Sequence, residues 1–126
     1  WNAKLGWGSF LTFEFGKPSL EIREPMHIEK ISSKPIRDIM AFRGVTLRGE
    51  WHLWIYCCNW ELFIDNKKLA SSESRREIID RAMSKIDGQK ITNIKINEKN
   101  GDTIFEFDLG GKIETSGYNF KDRIDE

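Results

Sequence analysis

Polar and apolar positions alternate along the first part of the chain with a period of two, the pattern of half-buried β-strands. Residues 9–15 alternate Leu and Phe with Thr and Glu, and residues 20–23 alternate Leu and Ile with charged side chains. The Gly-Lys-Pro-Ser segment at 16–19 is a turn signal. The pattern therefore predicts that 9–15 and 20–23 pair as a hairpin.

Residues 24–43 lack a clear period and contain Pro25 and Pro35, which predicts an irregular segment with a short helical turn at 36–42. Val45 and Leu47 begin a second group of strands. This group continues through residues 51–65, where Asp65 is placed to start the next turn.

The segment 51–58 is aromatic or apolar on both of its strand faces. One face carries Trp51, Leu53, Ile55 and Cys57, and the other carries His52, Trp54, Tyr56 and Cys58. Such strands are usually central in a sheet and covered on both sides. We therefore expect a second layer, a partner or a ligand to cover the face that bears Trp54.

One helix is predicted over residues 73–87, with Ser72 or Ser74 as its N-cap. Its apolar stripe has helical spacing, and Arg76 lies on the polar side. The stripe consists of Ile78, Ile79, Ala82, Met83 and Ile86.

Three further strands are predicted at 91–98, 103–109 and 112–118, joined by turns at 100–101 and 110–111. The order of elements is strands, one helix, strands. It predicts an α+β fold with a twisted, mostly antiparallel β-sheet, as a sandwich or half-barrel, and one amphipathic α-helix packed on it.

The length of 126 residues predicts a single domain, 1–126. Its 20 basic residues balance its 20 acidic residues, which removes the electrostatic argument for nucleic acid as a partner. The longest stretch without formal charge, 51–60, is too short for a membrane helix. We therefore expect a soluble protein that contacts neither nucleic acid nor a membrane.

The two cysteines, Cys57 and Cys58, are adjacent, so a disulfide between them would be strained, and we interpret them as buried free thiols. Free thiols and the lack of a visible leader favour the cytoplasm.

No catalytic or metal-ligand motif surrounds the two histidines, His27 and His52. We expect no catalytic residues, no metal and no cofactor, and therefore no enzyme. Folding can bring distant carboxylates together, and the most plausible hidden site of this kind is formed by Glu50 and Glu61 around His52.

The residues expected to bind a ligand or partner form an aromatic cluster, although core packing is an alternative explanation for each of them. They are Trp51, His52, Trp54, Tyr56 and Trp60. Charge is also separated, with a balance of +4 from Lys30 to Arg48 and −4 from Glu98 to Glu126. Such separation can steer a partner.

The segments Gly-Trp-Gly-Ser-Phe at 6–10 and Arg-Gly-Glu-Trp-His-Leu-Trp-Ile at 48–55, with the helix and terminal meander, resemble small bacterial proteins, some of them immunity partners encoded beside toxins. The resemblance implies a non-enzymatic cytoplasmic protein that blocks a partner. We expect a protein partner or self-association as a homodimer. The alternative is a small-ligand binding domain that uses an aromatic face of a curved sheet.

Overall fold

The computed structural model describes residues 1–27 and 33–118. Lys30 and residues 119–126, which carry part of the predicted charge separation, lie outside the described residues. The chain divides into two compact units. The larger unit comprises Trp1–Glu14 with His52–Glu126, and the smaller unit comprises Phe15–Trp51.

The predicted α+β class is confirmed, because antiparallel strands dominate the described residues and an amphipathic helix packs on them. The strands are β1 (Lys4–Leu5), β2 (Leu11–Phe15), β3 (Ser19–Arg23), β4 (Gly44–Arg48), β5 (Trp51–Ile55), β6 (Asn59–Ile64), β7 (Lys67–Ser71), β8 (Ile91–Ile96), β9 (Thr103–Phe107) and β10 (Gly111–Ser116). The helices are α1 (Lys34–Met40) and α2 (Arg76–Ile86).

A five-stranded sheet in the order β7-β6-β10-β9-β8 forms the main part of the larger unit. The predicted meander is confirmed, since β8, β9 and β10 are consecutive antiparallel neighbours. Asp65 and Asn66 both have positive φ, at 50° and 63°, which suits the tight turn between β6 and β7. That turn was predicted, although β7 was not.

The two faces of this sheet differ in chemistry. Leu62 and Ile113 are directly opposite each other across β6 and β10, and both are fully buried. The other face carries ion pairs such as Lys95 with Glu106, at 3.0 Å. Alternation along each strand therefore separates the core from water, as the period of two requires.

Helix α2 lies within the predicted range and buries the predicted stripe at Ile79, Ala82, Met83 and Ile86. It packs against β6 and β7 of the five-stranded sheet and against β1. The predicted serine cap is wrong, because Arg75 is the N-cap and supplies no side-chain hydrogen bond. Ser74 Oγ accepts the amide of Ser71 in the preceding turn, so a local turn uses the hydroxyl.

A three-stranded sheet in the order β1-β2-β5 closes the core of the larger unit. Phe13 on β2 lies against Phe107 on β9, with ring centroids 6.0 Å apart. The predicted hairpin between β2 and β3 is wrong. β2 pairs with β1, and β3 pairs with β4, because the chain leaves one unit after Glu14 and forms another.

The end of α2 approaches β10 very closely at Gly111. The buried Gln89 side chain accepts the Gly111 amide at 2.9 Å and donates to the Lys85 carbonyl at 3.1 Å. A Cβ at Gly111 would lie 2.6 Å from Gln89 Oε1 and 2.9 Å from Ile86 Cγ1. Only glycine leaves room for this contact between the helix and the sheet.

The smaller unit contains the hairpin of β3 and β4 and the short helix α1, which overlaps the helical turn predicted at 36–42. Arg23 at the end of β3 donates to the carbonyls of Ile39 and Met40 in α1, at 3.2 and 3.4 Å. Among the described residues of this unit, no side chain is fully buried. The two units therefore differ sharply in how much apolar surface they remove from water.

Candidate partner-binding surface

The outward face of β5 carries the side chains expected to bind a partner. Leu53 and Ile55 point toward the core, while Trp54 remains 57% exposed and Tyr56, directly after the strand, 59% exposed. The prediction that this segment is a central strand with both faces covered is wrong. β5 is an edge strand, and the chain turns away at Cys57, whose φ is +56°.

Phe10 joins Trp54 and Tyr56 into one cluster, which we call the aromatic face. The Phe10 ring meets Trp54 and Tyr56 edge-on, with centroids 6.2 and 5.4 Å apart. Edge-to-face pairs are favourable and fix ring orientation. The aromatic face is therefore an ordered surface although much of it contacts solvent.

A constrained loop continues from this face and presents Trp7 with 94% of its surface exposed. The Gly6 amide donates to the Phe10 carbonyl at 2.7 Å, and the Phe10 amide donates to the Trp7 carbonyl at 3.1 Å. The Arg76 guanidinium donates to the carbonyls of Gly6 and Gly8, each at 2.9 Å. Arg76, predicted to be a simple solvent-facing residue, therefore anchors this loop to α2.

The anchored loop borders a cavity of about 480 Å³ lined by Leu5, Gly6, Trp7 and Arg76. A tryptophan held on a constrained backbone loses little conformational entropy when it binds. This is the property expected of an aromatic anchor in an interface.

Beside the aromatic face, His52 Nδ1 is hydrogen-bonded to the Glu14 carboxylate. Only 10% of the Glu14 side chain is exposed, against 39% for His52. The imidazole therefore compensates part of the cost of burying a carboxylate, and the contact fixes the orientation of the ring next to Trp54.

Sequence reasoning missed Glu14 as the partner of His52 and considered Glu50 and Glu61. Those two carboxylates have other contacts, because Glu50 accepts the amide of Lys17 at 3.1 Å and Glu61 lies 3.5 Å from the Lys68 ammonium. The sequence does mark Glu14, because it is an acidic residue between Phe13 and Phe15 in an apolar strand. The pairing of β2 with β5, which brings the two residues together, has no local signature.

The five predicted site residues do not form one surface. Trp54, Tyr56 and His52 share the outer side of β5. Trp60 is 1% exposed and donates its Nε1 hydrogen to the Ser9 carbonyl at 2.8 Å, so it belongs to the core. Trp51 is 72% exposed and belongs to the smaller unit.

The cysteines are free thiols, as predicted, but neither is buried, because Cys57 is exposed and Cys58 is half-buried. Partial burial of the Cys58 thiol raises its pKa, because burial disfavours the charged thiolate. Electrostatic repulsion from Cys57 raises it further, by a smaller amount. Cys57 lies in the turn between β5 and β6, where it has a positive φ.

A second cavity of about 570 Å³ opens at one end of the five-stranded sheet. Its lining includes Lys95, Asp102, Glu114 and the buried Trp60, and it is distinct from the aromatic face. Across residues 1–27 and 33–118, no group of three His, Cys, Asp or Glu side chains could hold a metal ion. In the same residues no helix is long and apolar enough to cross a membrane.

Comparison of the chain with protein-family models, with curated proteins and with solved structures finds no match in any of the three.

Proposed function

We propose that this protein is a non-enzymatic, partner-binding protein of the immunity or scaffold kind, acting in the cytoplasm, and that the aromatic face contacts its protein partner. The observation that carries the proposal is the exposure of Trp54 and Tyr56 in a fixed arrangement around Phe10. Exposed aromatic side chains are enriched at the centres of protein interfaces.

The main core of this part of the fold lies on the other side of the sheet from these rings. The opposite side of the same sheet supplies the core through Leu11, Phe13 and Ile55, each at most 4% exposed. Leaving Trp54 and Tyr56 in water has a free-energy cost that burial against a partner would remove. Trp7, on the loop anchored by Arg76, extends the same kind of surface.

The His52–Glu14 pair is compatible with this proposal without any catalytic role. Here the contact holds an imidazole beside Trp54, where it contributes a polar rim to an apolar surface.

The test uses the double variant Trp54→Ser/Tyr56→Ser and the control variant Leu109→Ser, which removes a side chain of similar exposure, 67%, from the turn after β9. Each protein is used as bait in an extract of the source cells, and the proteins retained are quantified. A protein retained by the wild type and the control but not by the double variant is then purified and titrated by calorimetry.

We expect the double variant to bind the purified partner at least about 30-fold more weakly, as for the loss of an interface hot spot. Equal affinity of the three baits would contradict the proposal. Binding of a sugar or nucleobase by the isolated protein, lost only in the double variant, would favour the small-ligand alternative. Retention of a toxic enzyme would identify the immunity form, and retention of a structural protein the scaffold form.

A further inference from the structure

The hairpin of the smaller unit has one apolar face, which we call the hairpin face. Leu20 lies directly opposite Leu47, and Ile22 lies directly opposite Val45. These four side chains are 67%, 48%, 56% and 61% exposed, respectively. Two directly opposed aliphatic pairs on one side of a hairpin are the arrangement of an inner sheet face, yet here they contact solvent.

The helix of this unit leaves the hairpin face uncovered. Arg23, which fastens to the carbonyls at the end of α1, projects from the other side of β3, together with Glu21. That other side is polar, with Glu21 3.1 Å from Arg48. The hydrogen bonds of Arg23 and the ion pair of Glu21 with Arg48 therefore lie on the polar side of the hairpin.

A two-stranded sheet needs a packed layer to be stable, because an isolated hairpin is marginal in water. None of the described side chains of the smaller unit is fully buried, so the described residues of the unit do not supply that layer. A chain segment of this length rarely folds without an added constraint or partner.

We propose that a second copy of this chain covers the hairpin face, so that two hairpins pack face to face as a small symmetric sandwich. The hairpin face is self-complementary, because its two Leu, one Ile and one Val are of similar size and carry no charge that would repel its own copy. Side chains of facing sheets interdigitate at a sheet separation of about 10 Å.

The area of the hairpin face sets the expected strength. Each of the four side chains exposes roughly 90 Å² of apolar surface, which gives roughly 350 Å² per copy and roughly 700 Å² for the pair. Backbone and flanking side chains add to this, and the total falls in the small, reversible class of interfaces. We therefore expect a weak dimer that dissociates reversibly on dilution. The hairpin face and the aromatic face share no residue.

The test is sedimentation velocity of the full chain from about 1 to about 500 μM, with Ile22→Glu as the disrupting variant. The matched control is Thr46→Glu, which adds the same charge to the polar side of the neighbouring strand. Wild type and Thr46→Glu should dimerise with similar affinity, whereas Ile22→Glu should be weakened at least about 30-fold. The Trp54→Ser/Tyr56→Ser protein should dimerise like the wild type.

A mixture of Ile22→Glu and Ile22→Lys chains should recover a dimer, because the two altered faces then carry opposite charges. Recovery would also show that both variants fold. A wild-type protein that remains monomeric at every concentration would overturn the proposal. The hairpin face would then be covered by the rest of its own chain, by a different protein or by water. Equal weakening by Ile22→Glu and Thr46→Glu, or no recovery in the mixture, would overturn it as well.

Discussion

At the scale of single residues, the pair of Glu14 and His52 shows how a buried charge is accommodated. A carboxylate on β2 lies with 10% of its side chain in contact with water, and an imidazole from the neighbouring strand β5 meets it. Hydrogen bonds to charged groups stabilise more than neutral ones, and loss of a buried partner costs more than the bond contributes.

Substitution of His52 by Ala should lower the free energy of unfolding by about 1–3 kcal/mol, because Glu14 loses its imidazole partner. Urea denaturation at neutral pH measures this change. His52→Gln, whose amide still donates a hydrogen bond, should recover part of it. A His52→Ala protein with the midpoint of the wild type would show that the pair contributes nothing to stability.

Adjacent cysteines should react at different rates. Cys57 is exposed, whereas Cys58 is half-buried and its pKa is raised, so at pH 7.5 a smaller fraction of Cys58 is thiolate than of an ordinary cysteine. Alkylation by iodoacetamide, followed by mass spectrometry on the Cys57→Ser and Cys58→Ser variants, should be slower for the protein that retains only Cys58. The difference should shrink as pH rises. Equal rates in both variants at pH 7.5 would contradict the expectation.

At the scale of elements, α2 has the clearest relation between sequence and packing. A single stripe with helical spacing becomes the buried side of the helix, since any other rotation would expose it. The polar side of the same helix has a structural role at one position, where Arg76 holds the loop that presents Trp7.

Ile79→Ala or Met83→Ala should reduce the free energy of unfolding by about 2–5 kcal/mol, because each leaves a cavity in the core. Glu77→Ala, on the exposed side, should change it by less than about 0.5 kcal/mol. Denaturant titration of the three variants compares the two sides of α2. Similar destabilisation by all three would mean that the helix packs with a different side.

The contact between α2 and β10 depends on the missing side chain of Gly111. Gly111→Ala should lower the free energy of unfolding by about 1–3 kcal/mol, because its Cβ would collide with Gln89 and Ile86. Gly117→Ala is the matched control, since a Cβ there meets nothing within 4 Å. Thermal unfolding should separate the two variants clearly. Equal melting temperatures would show that the helix end adjusts without cost.

At the scale of the whole molecule, the two units differ in how their surfaces are used. The larger unit encloses a core that includes Trp60, Leu62 and Ile113, each at most 1% exposed. The smaller unit exposes aliphatic side chains on both its hairpin and its helix, including Ile39 at 65% and Val45 at 61%. Burial of apolar surface is the main stabilising term in folding, so the units should differ in local stability.

Hydrogen exchange should reveal this difference. In dilute protein, amides of β3 and β4 should exchange orders of magnitude faster than those of β6 and β10, whose opening requires disruption of the core. Exchange measured by mass spectrometry at several protein concentrations should show protection of β3 and β4 that rises with concentration. Equal protection of the two strand pairs in dilute protein would contradict the contrast in packing.

Several features of this protein follow from the sequence alone, because the signals that specify them are local. The meander of β8, β9 and β10 is encoded by alternation and by glycine-containing turns, and the buried side of α2 by spacing. The turn at Asp65 and Asn66 has the same origin, since these residue types tolerate positive φ. Each signal acts over a few residues and needs no distant partner.

Other features were decided only by tertiary structure, because they depend on which distant segments meet. Trp54 and Trp60 are equally aromatic, yet Trp54 lies outside an edge strand and Trp60 fills the core. The contact of His52 with Glu14 joins residues 38 positions apart through the neighbouring strands β2 and β5. A period of two shows that a strand has two faces, and only the packing of sheets determines which face meets water.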